Sequence, residues 1–226
     1  MKRFTKVAVV LAVMIVSLSA SAAVNDTSPL RPPKGAKVAI VIFEDLQCPD
    51  CARAEPVIQE AAKTYNIPIV RHDFPLPMHN WSFEAHVIAR YFDTKSKELG
   101  EEFRRFILKN QPSVTKENLR GIAERWAEER KTALPFVYDP AGALAAKVKA
   151  DFALGQRVGI EHTPTIYVVS DTQRGTPFVE VVDRSNLFNL IDQMQKQAMA
   201  EGGAKSKPAK AGKPAAKAAK TKAPVQ

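Results

Sequence analysis

The chain has 226 residues, with 33 basic and 24 acidic side chains, a formal net charge of +9 and only two cysteines, a length that suits one core with a sizeable insertion. Seven lysines (205, 207, 210, 213, 217, 220, 222) crowd an acid-free C-terminal segment and Lys2, Arg3 and Lys6 open the chain, which leaves 23 basic against 24 acidic residues between them. The folding part is therefore near neutral, so +9 does not indicate a specific nucleic-acid partner, and two adjacent cysteines exclude a fold stapled by dispersed disulfides.

Residues 1–22 read as a cleaved secretory signal: three basic residues, an apolar run over 7–18, then Ala20, Ser21 and Ala22 as an A-x-A site. A run of about a dozen apolar residues falls short of the roughly 20 that span a bilayer. A periplasmic or secreted location is the expectation. Residues 23–36 form a lead-in that carries prolines.

Residues 37–43 (KVAIVIF) are a near-continuous β-branched run, the pattern of a strand covered on both faces. A helix is expected to start at the cysteines, with Val57, Ile58, Ala61 and Ala62 as its apolar stripe and Pro56 kinking it or breaking its ladder. A second strand over 67–74 (IPIVRHDF) completes a βαβ unit. The pattern is then helical over about 75–158. Asn80 is expected to cap a helix running from Trp81 past Phe92; Leu99, Phe103, Phe106 and Ile107 mark the next. Thr115 is the expected N-cap of a third, with Val114 and Leu119 as a hydrophobic staple, and Asp139 with Pro140 opens a fourth through Leu144, Val148 and Phe152.

The β signal returns at residues 165–169 (TIYVV), with a turn through Arg174 and Gly175 and a hairpin partner over 178–182. A last amphipathic helix carries Leu187, Ile191, Met194 and Ala198. The expected organisation is one domain over 37–202, with an all-helical block over about 75–158 inserted into a small α/β sandwich, followed by a Lys/Ala/Pro-rich tail over 203–226. The tail's composition predicts disorder; it serves as a solvated tether or is attracted to an anionic polymer or surface.

The chemistry concentrates at FEDLQCPDC, residues 43–51. Cysteines three apart at a helix start share a face and close a disulfide with modest adjustment. Cys48, at the helix end, faces free N–H groups and the macrodipole, which stabilise a thiolate; Cys51, one turn in, is expected to be more buried. Cys48 is thus the expected attacking thiol and Cys51 the resolving one, with Pro49 and Asp50 between them. Structural zinc needs four ligands, and His72, His79, His86 and His162 lack the usual H-x₃₋₅-H spacing, so no metal is expected. A purely structural disulfide closing so short a loop removes little unfolded-state entropy. The companion feature is EHTPTIYVV (161–169), where Pro164 follows Thr163 directly before a strand, a place suited to a cis peptide.

Together, FEDLQCPDC, DFPLPMH and GIEHTPTIYVV resemble the DsbA-like thiol:disulfide oxidoreductases of the thioredoxin superfamily, over about residues 37–200. The resemblance implies an α/β thioredoxin fold with an inserted all-helical subdomain, Cys48 as nucleophile, Cys51 as resolving thiol and Pro164 as a cis-proline facing them. It also implies an extended substrate segment pairing beside Thr163, with His162 nearby. The implied partners are cysteine-bearing substrate proteins and a redox partner that recycles the dithiol, without metal or organic cofactor. Family and compartment favour disulfide donation; reductase and isomerase roles are alternatives, as is a non-catalytic binding or holdase module tethered by its basic tail.

Two departures from the family pattern carry expectations. Asp50 stands where DsbA proteins have histidine, and a carboxylate about 7 Å from the Cys48 sulfur opposes its thiolate by roughly 0.6 to 2.4 kcal/mol. That predicts a less oxidising couple. Ile42 stands where many thioredoxins bury a carboxylate, so Glu44, Asp45 or water are the candidates for proton transfer to Cys51.

Overall fold

A computed structural model describes residues 25–172 and 176–205. The expected leader, most of the tail and the turn at Arg174 and Gly175 lie outside them. The chain runs β1 (Val38–Glu44), α1 (Pro49–Tyr65), β2 (Ile69–Asp73), α2 (Ser82–Asp93), α3 (Lys97–Asn110), a 3₁₀ turn (Gln111–Ser113), α4 (Leu119–Glu129), α5 (Ala143–Val158), β3 (Thr165–Ser170), β4 (Phe178–Glu180), a second 3₁₀ turn (Arg184–Asn186) and α6 (Leu187–Lys205).

The four strands form one mixed sheet in the order β2-β1-β3-β4, with β2 parallel and β3 antiparallel to β1. β1 is buried along its whole length, as its unbroken β-branched pattern requires. Its alternate residues feed two cores: Val38, Ile40 and Ile42 pack with α1 and α6, while Ala39, Val41 and Phe43 pack with Phe74, Val158 and Val169 on the other face. A third core fills the helical insertion, where the rings of Phe92, Phe103 and Trp126 pack tilted or edge to face at centroid distances of 4.9 to 5.1 Å. Both cysteines belong to this third core. The catalytic helix therefore starts where the insertion meets the sheet.

The expected elements are all present, and several boundaries differ. The buried stripe of α1 is Cys51, Ala54, Ile58 and Ala61, with Val57 and Ala62 only partly covered. Pro56 leaves α1 unbroken because it lies on the exposed side, where a lost ladder bond is open to water. β2 begins two residues later than its composition suggests, since Asn66 adopts a left-handed turn and the Ile67 N–H donates to Ala62 O, capping α1. Asn80 does not cap α2: its Oδ1 accepts from Gln47 Nε2 at 3.4 Å, and Trp81 stands at the cap position. Thr115 and Asn118 exchange backbone and side-chain bonds, a reciprocal cap, and α4 starts one turn after Thr115. Asp139 accepts from the N–H groups of Leu144 and Ala145 at 3.0 and 2.9 Å, anchoring α5. The expected face of α6 is buried in full.

Candidate active site

β1 delivers the chain into a tight loop whose last residue, Cys48, is the N-cap of α1. Its φ and ψ of −76° and 119° are extended, while Pro49 takes the first helical position, where no N–H is needed. The first-turn amides thus open toward the Cys48 sulfur. Cys48 Sγ also lies 3.2 Å from Thr163 O, and the Thr163–Pro164 peptide is cis, so residues 115 apart in sequence meet at one sulfur.

These groups bring the Cys48 thiol down to about 5. The largest contribution is the hydrogen bond from the Cys51 thiol; the N–H groups of Cys51 and Asp50 add to it, against the cost of burial. Cys51 is pushed the other way, well above the ordinary thiol range, by burial first and then by its neighbour Cys48. It is 1% exposed, against 7% for Cys48. Its sulfur accepts the Asp45 N–H at 3.4 Å. Both sulfurs are free thiols.

Asp50 is not the bare charge that its place between the cysteines suggests. Its carboxylate is paired with Arg184 at 2.8 Å and with Arg53 at 3.1 Å; burial is the largest single influence and opposes its charge, but the two cations together outweigh it and lower the Asp50 carboxyl. Its charge is offset while its backbone N–H supports the thiolate. Nothing local in the sequence marks Arg184, which lies 134 residues away.

The two candidate carboxylates separate by environment. Asp45, fully buried, is saturated by the N–H groups of Gln47 and Leu76 and by His79 Nδ1, at 2.6 to 2.7 Å. It shapes the loop. Glu44, also fully buried, spends Oε2 on Arg71 at 2.5 Å and leaves Oε1 with no hydrogen-bond partner. Burial raises its carboxyl to about 7 despite Arg71, and its charge is among those that raise Cys51. Arg71 also binds Glu55 at 2.8 Å and Glu101 at 2.7 Å. The charged half of the IVRHD strand, with Arg71 buried in it, is the visible signal for such a cluster.

The His162 ring is exposed and bonds neither cysteine among the described residues; its carbonyl accepts from Thr165 Oγ1 at 2.7 Å, closing the turn after the cis bond. Thr163 is buried, with Oγ1 unpartnered. Among the described residues no group of three or more His, Cys, Asp or Glu is placed to hold a metal ion, and no helix is long and apolar enough to cross a membrane.

Residues 25–174 match the family model described as Thioredoxin. The chain belongs to the thioredoxin family. Within that family the fold is the DsbA-like form with a helical insertion. α-DsbA1 of Wolbachia pipientis superposes with a TM-score of 0.61 at 15% identity, covering 76% of this chain and 92% of that one. A periplasmic thioredoxin-like protein of Salmonella enterica serovar Typhimurium gives 0.58 at 17% identity, over 73% and 88%. A Proteus mirabilis ScsC structure in a transitional conformation gives 0.56 at 18%, over 73% and 71%. These likenesses concern the fold. A curated relative, the Na(+)/H(+) antiporter NhaA 1 of Salinispora arenicola, is 24% identical over 163 residues, 70% of this chain, which spans about a quarter of that relative's length.

Proposed function

We propose that this thioredoxin-family chain is an exported thiol:disulfide oxidoreductase that donates the Cys48–Cys51 disulfide to protein thiols. The observation that carries the reading is the asymmetry of the pair: a sulfur at the helix cap, against the Thr163 carbonyl, that ionises near 5, and a partner thiol sealed one turn deeper.

In the donating direction a substrate thiolate attacks Cys48 Sγ, forming a mixed disulfide as the Cys48–Cys51 bond breaks and Cys51 takes the electron pair. The Cys51 sulfur then requires a proton, and the buried Glu44 carboxyl, raised to about 7, is its donor in this reading. A second substrate thiolate attacks the substrate sulfur, a substrate disulfide forms, and Cys48 leaves as thiolate. A thiolate with a low pKa is a good leaving group, which favours donation over reduction. Two substrate thiols are oxidised, the protein's disulfide is reduced to the dithiol, and a separate oxidising partner must reverse that change. The extended stretch at Thr163 offers backbone for pairing with the substrate segment.

Export to the periplasm or beyond rests on the composition of residues 1–22, and any attraction of the basic tail to an anionic surface belongs to the same proposal. Deleting residues 203–226 separates the tail from the chemistry: full exchange activity with altered localisation assigns it an address role. The chemical reading is tested by exchange with reduced, unfolded substrate proteins and with insulin. Cys48→Ser is expected to abolish both reactions, and Cys51→Ser to accumulate mixed disulfides through Cys48. Unchanged exchange in Cys48→Ser contradicts the reading.

A further inference from the structure

The loop that presents Cys48 is tied at several points to the helical insertion. Leu46 N–H donates to His86 Nε2 of α2 at 3.3 Å, and Gln47 Oε1 accepts the Trp81 N–H at 2.9 Å. Gln111, at the start of the 3₁₀ turn after α3, donates through Nε2 to two backbone oxygens, Leu46 O at 2.7 Å and Cys48 O at 3.0 Å. Both targets are carbonyls, which only accept, so the amide end that faces them has to be the NH₂. One side chain thereby spends both its donors on the two peptide planes that bracket the loop.

Position decides why this matters. Cys48 O is the cap carbonyl that already accepts the Ala52 N–H at 3.2 Å, and its direction fixes ψ of Cys48. That torsion sets where the sulfur stands relative to the N–H groups of Asp50 and Cys51, which donate to its thiolate. Holding the carbonyl therefore holds the sulfur inside its ring of donors, while an unheld cap samples other peptide orientations that swing it away. Gln111 touches neither sulfur.

We propose that Gln111 is a positioning residue for the redox pair: its bidentate grip on the Leu46 and Cys48 carbonyls keeps the Cys48 sulfur aligned with the donors that stabilise its thiolate. Through Gln111 the insertion steadies the ionisation of the attacking thiol, whose direct donors lie on α1. The consequence for exchange rate rests on the function proposed above, but the ionisation itself does not.

The test uses the full reduced chain and follows the rate of iodoacetamide alkylation of Cys48 against pH, in the parent, in Gln111→Met and in Gln111→Glu. Methionine keeps the length and apolar stem without donors; glutamate turns an acceptor toward two acceptors. Melting curves of the same samples report folding separately. The proposal expects a cooperative melt in Gln111→Met with the Cys48 midpoint raised by about one pH unit, which leaves roughly a fifth of the parent's thiolate at pH 5, and a larger rise in Gln111→Glu. Rates converge above pH 9, where both proteins are fully ionised. A parental midpoint in both variants, with or without a lowered melting temperature, overturns it, because a merely structural contact changes stability and leaves the titration in place. Failure of the exchange reading shows differently, as a parent with a low Cys48 midpoint that does not exchange disulfides.

Discussion

At the residue scale the site depends on how each charge is compensated. The cysteine pair and Pro164 were legible because their spacing and placement carry the chemistry locally. Asp50 was legible as a charge, but its effect was not, because the compensating Arg184 arrives from the far end of the chain. Removing that compensation, with Arg184→Ala, is expected to restore the opposition that bare sequence suggests. Cys48 alkylation then shifts upward by about half a unit to one and a half units, and less in high salt, since Arg53 remains. Glu44 gives a second prediction through linkage. Its folded carboxyl titrates near 7, above its ordinary value of 4.5, so the folded state holds the proton longer than the unfolded chain. Stability from this group is complete below about 4.5 and is lost as pH rises through 7. Glu44→Gln abolishes that loss, so its melting temperature relative to the parent is expected to be higher at pH 8 than at pH 4.5. The gap of about 2.5 pH units bounds the effect at roughly 3 kcal/mol. A difference independent of pH contradicts the assignment.

At the element scale hydrophobic periodicity placed the helices and strands, because the stripes of α3 to α6 each bury one face while the unbroken run of β1 is buried on both. Ends were harder to read. Asn80 and Thr115 both have capping chemistry, yet Asn80 is drawn to Gln47 and Thr115 works one turn ahead through Asn118. Side-chain competition of that kind depends on tertiary neighbours. Asp139 is the helix-opening residue on which local sequence and structure agree: Gly142 holds the cap position, and the Asp139 carboxyl is held below the usual range by the Ala145 and Leu144 N–H groups of the first turn. Asp139→Ala is expected to cost about 1 kcal/mol in chemical denaturation, with no change in Cys48 reactivity because α5 meets the site only through the core. No loss of stability contradicts its role in opening the helix.

At the scale of the whole molecule two bodies meet beneath the cysteines, and buried ions cross their seam. Arg71 ties β2 to Glu44 of β1, Glu55 of α1 and Glu101 of α3. Asp73, held far below the usual carboxylate range despite its burial by His86 and the nearby Arg104 and Arg90, ties the sheet to α2 and α3. The switch from β to helical to β pattern made the insertion visible, whereas the strand order, the buried ion clusters and the Gln111 clamp were not, since none leaves a period in the sequence. What the assembly achieves is to hold Cys48 at a helix cap against the strand that starts after Pro164. The alkylation rate of Cys48 against pH in the reduced, full-length protein reads that arrangement most directly. A midpoint near 5 is the expected result; a midpoint near 8.5, the value of an ordinary thiol, would contradict the account.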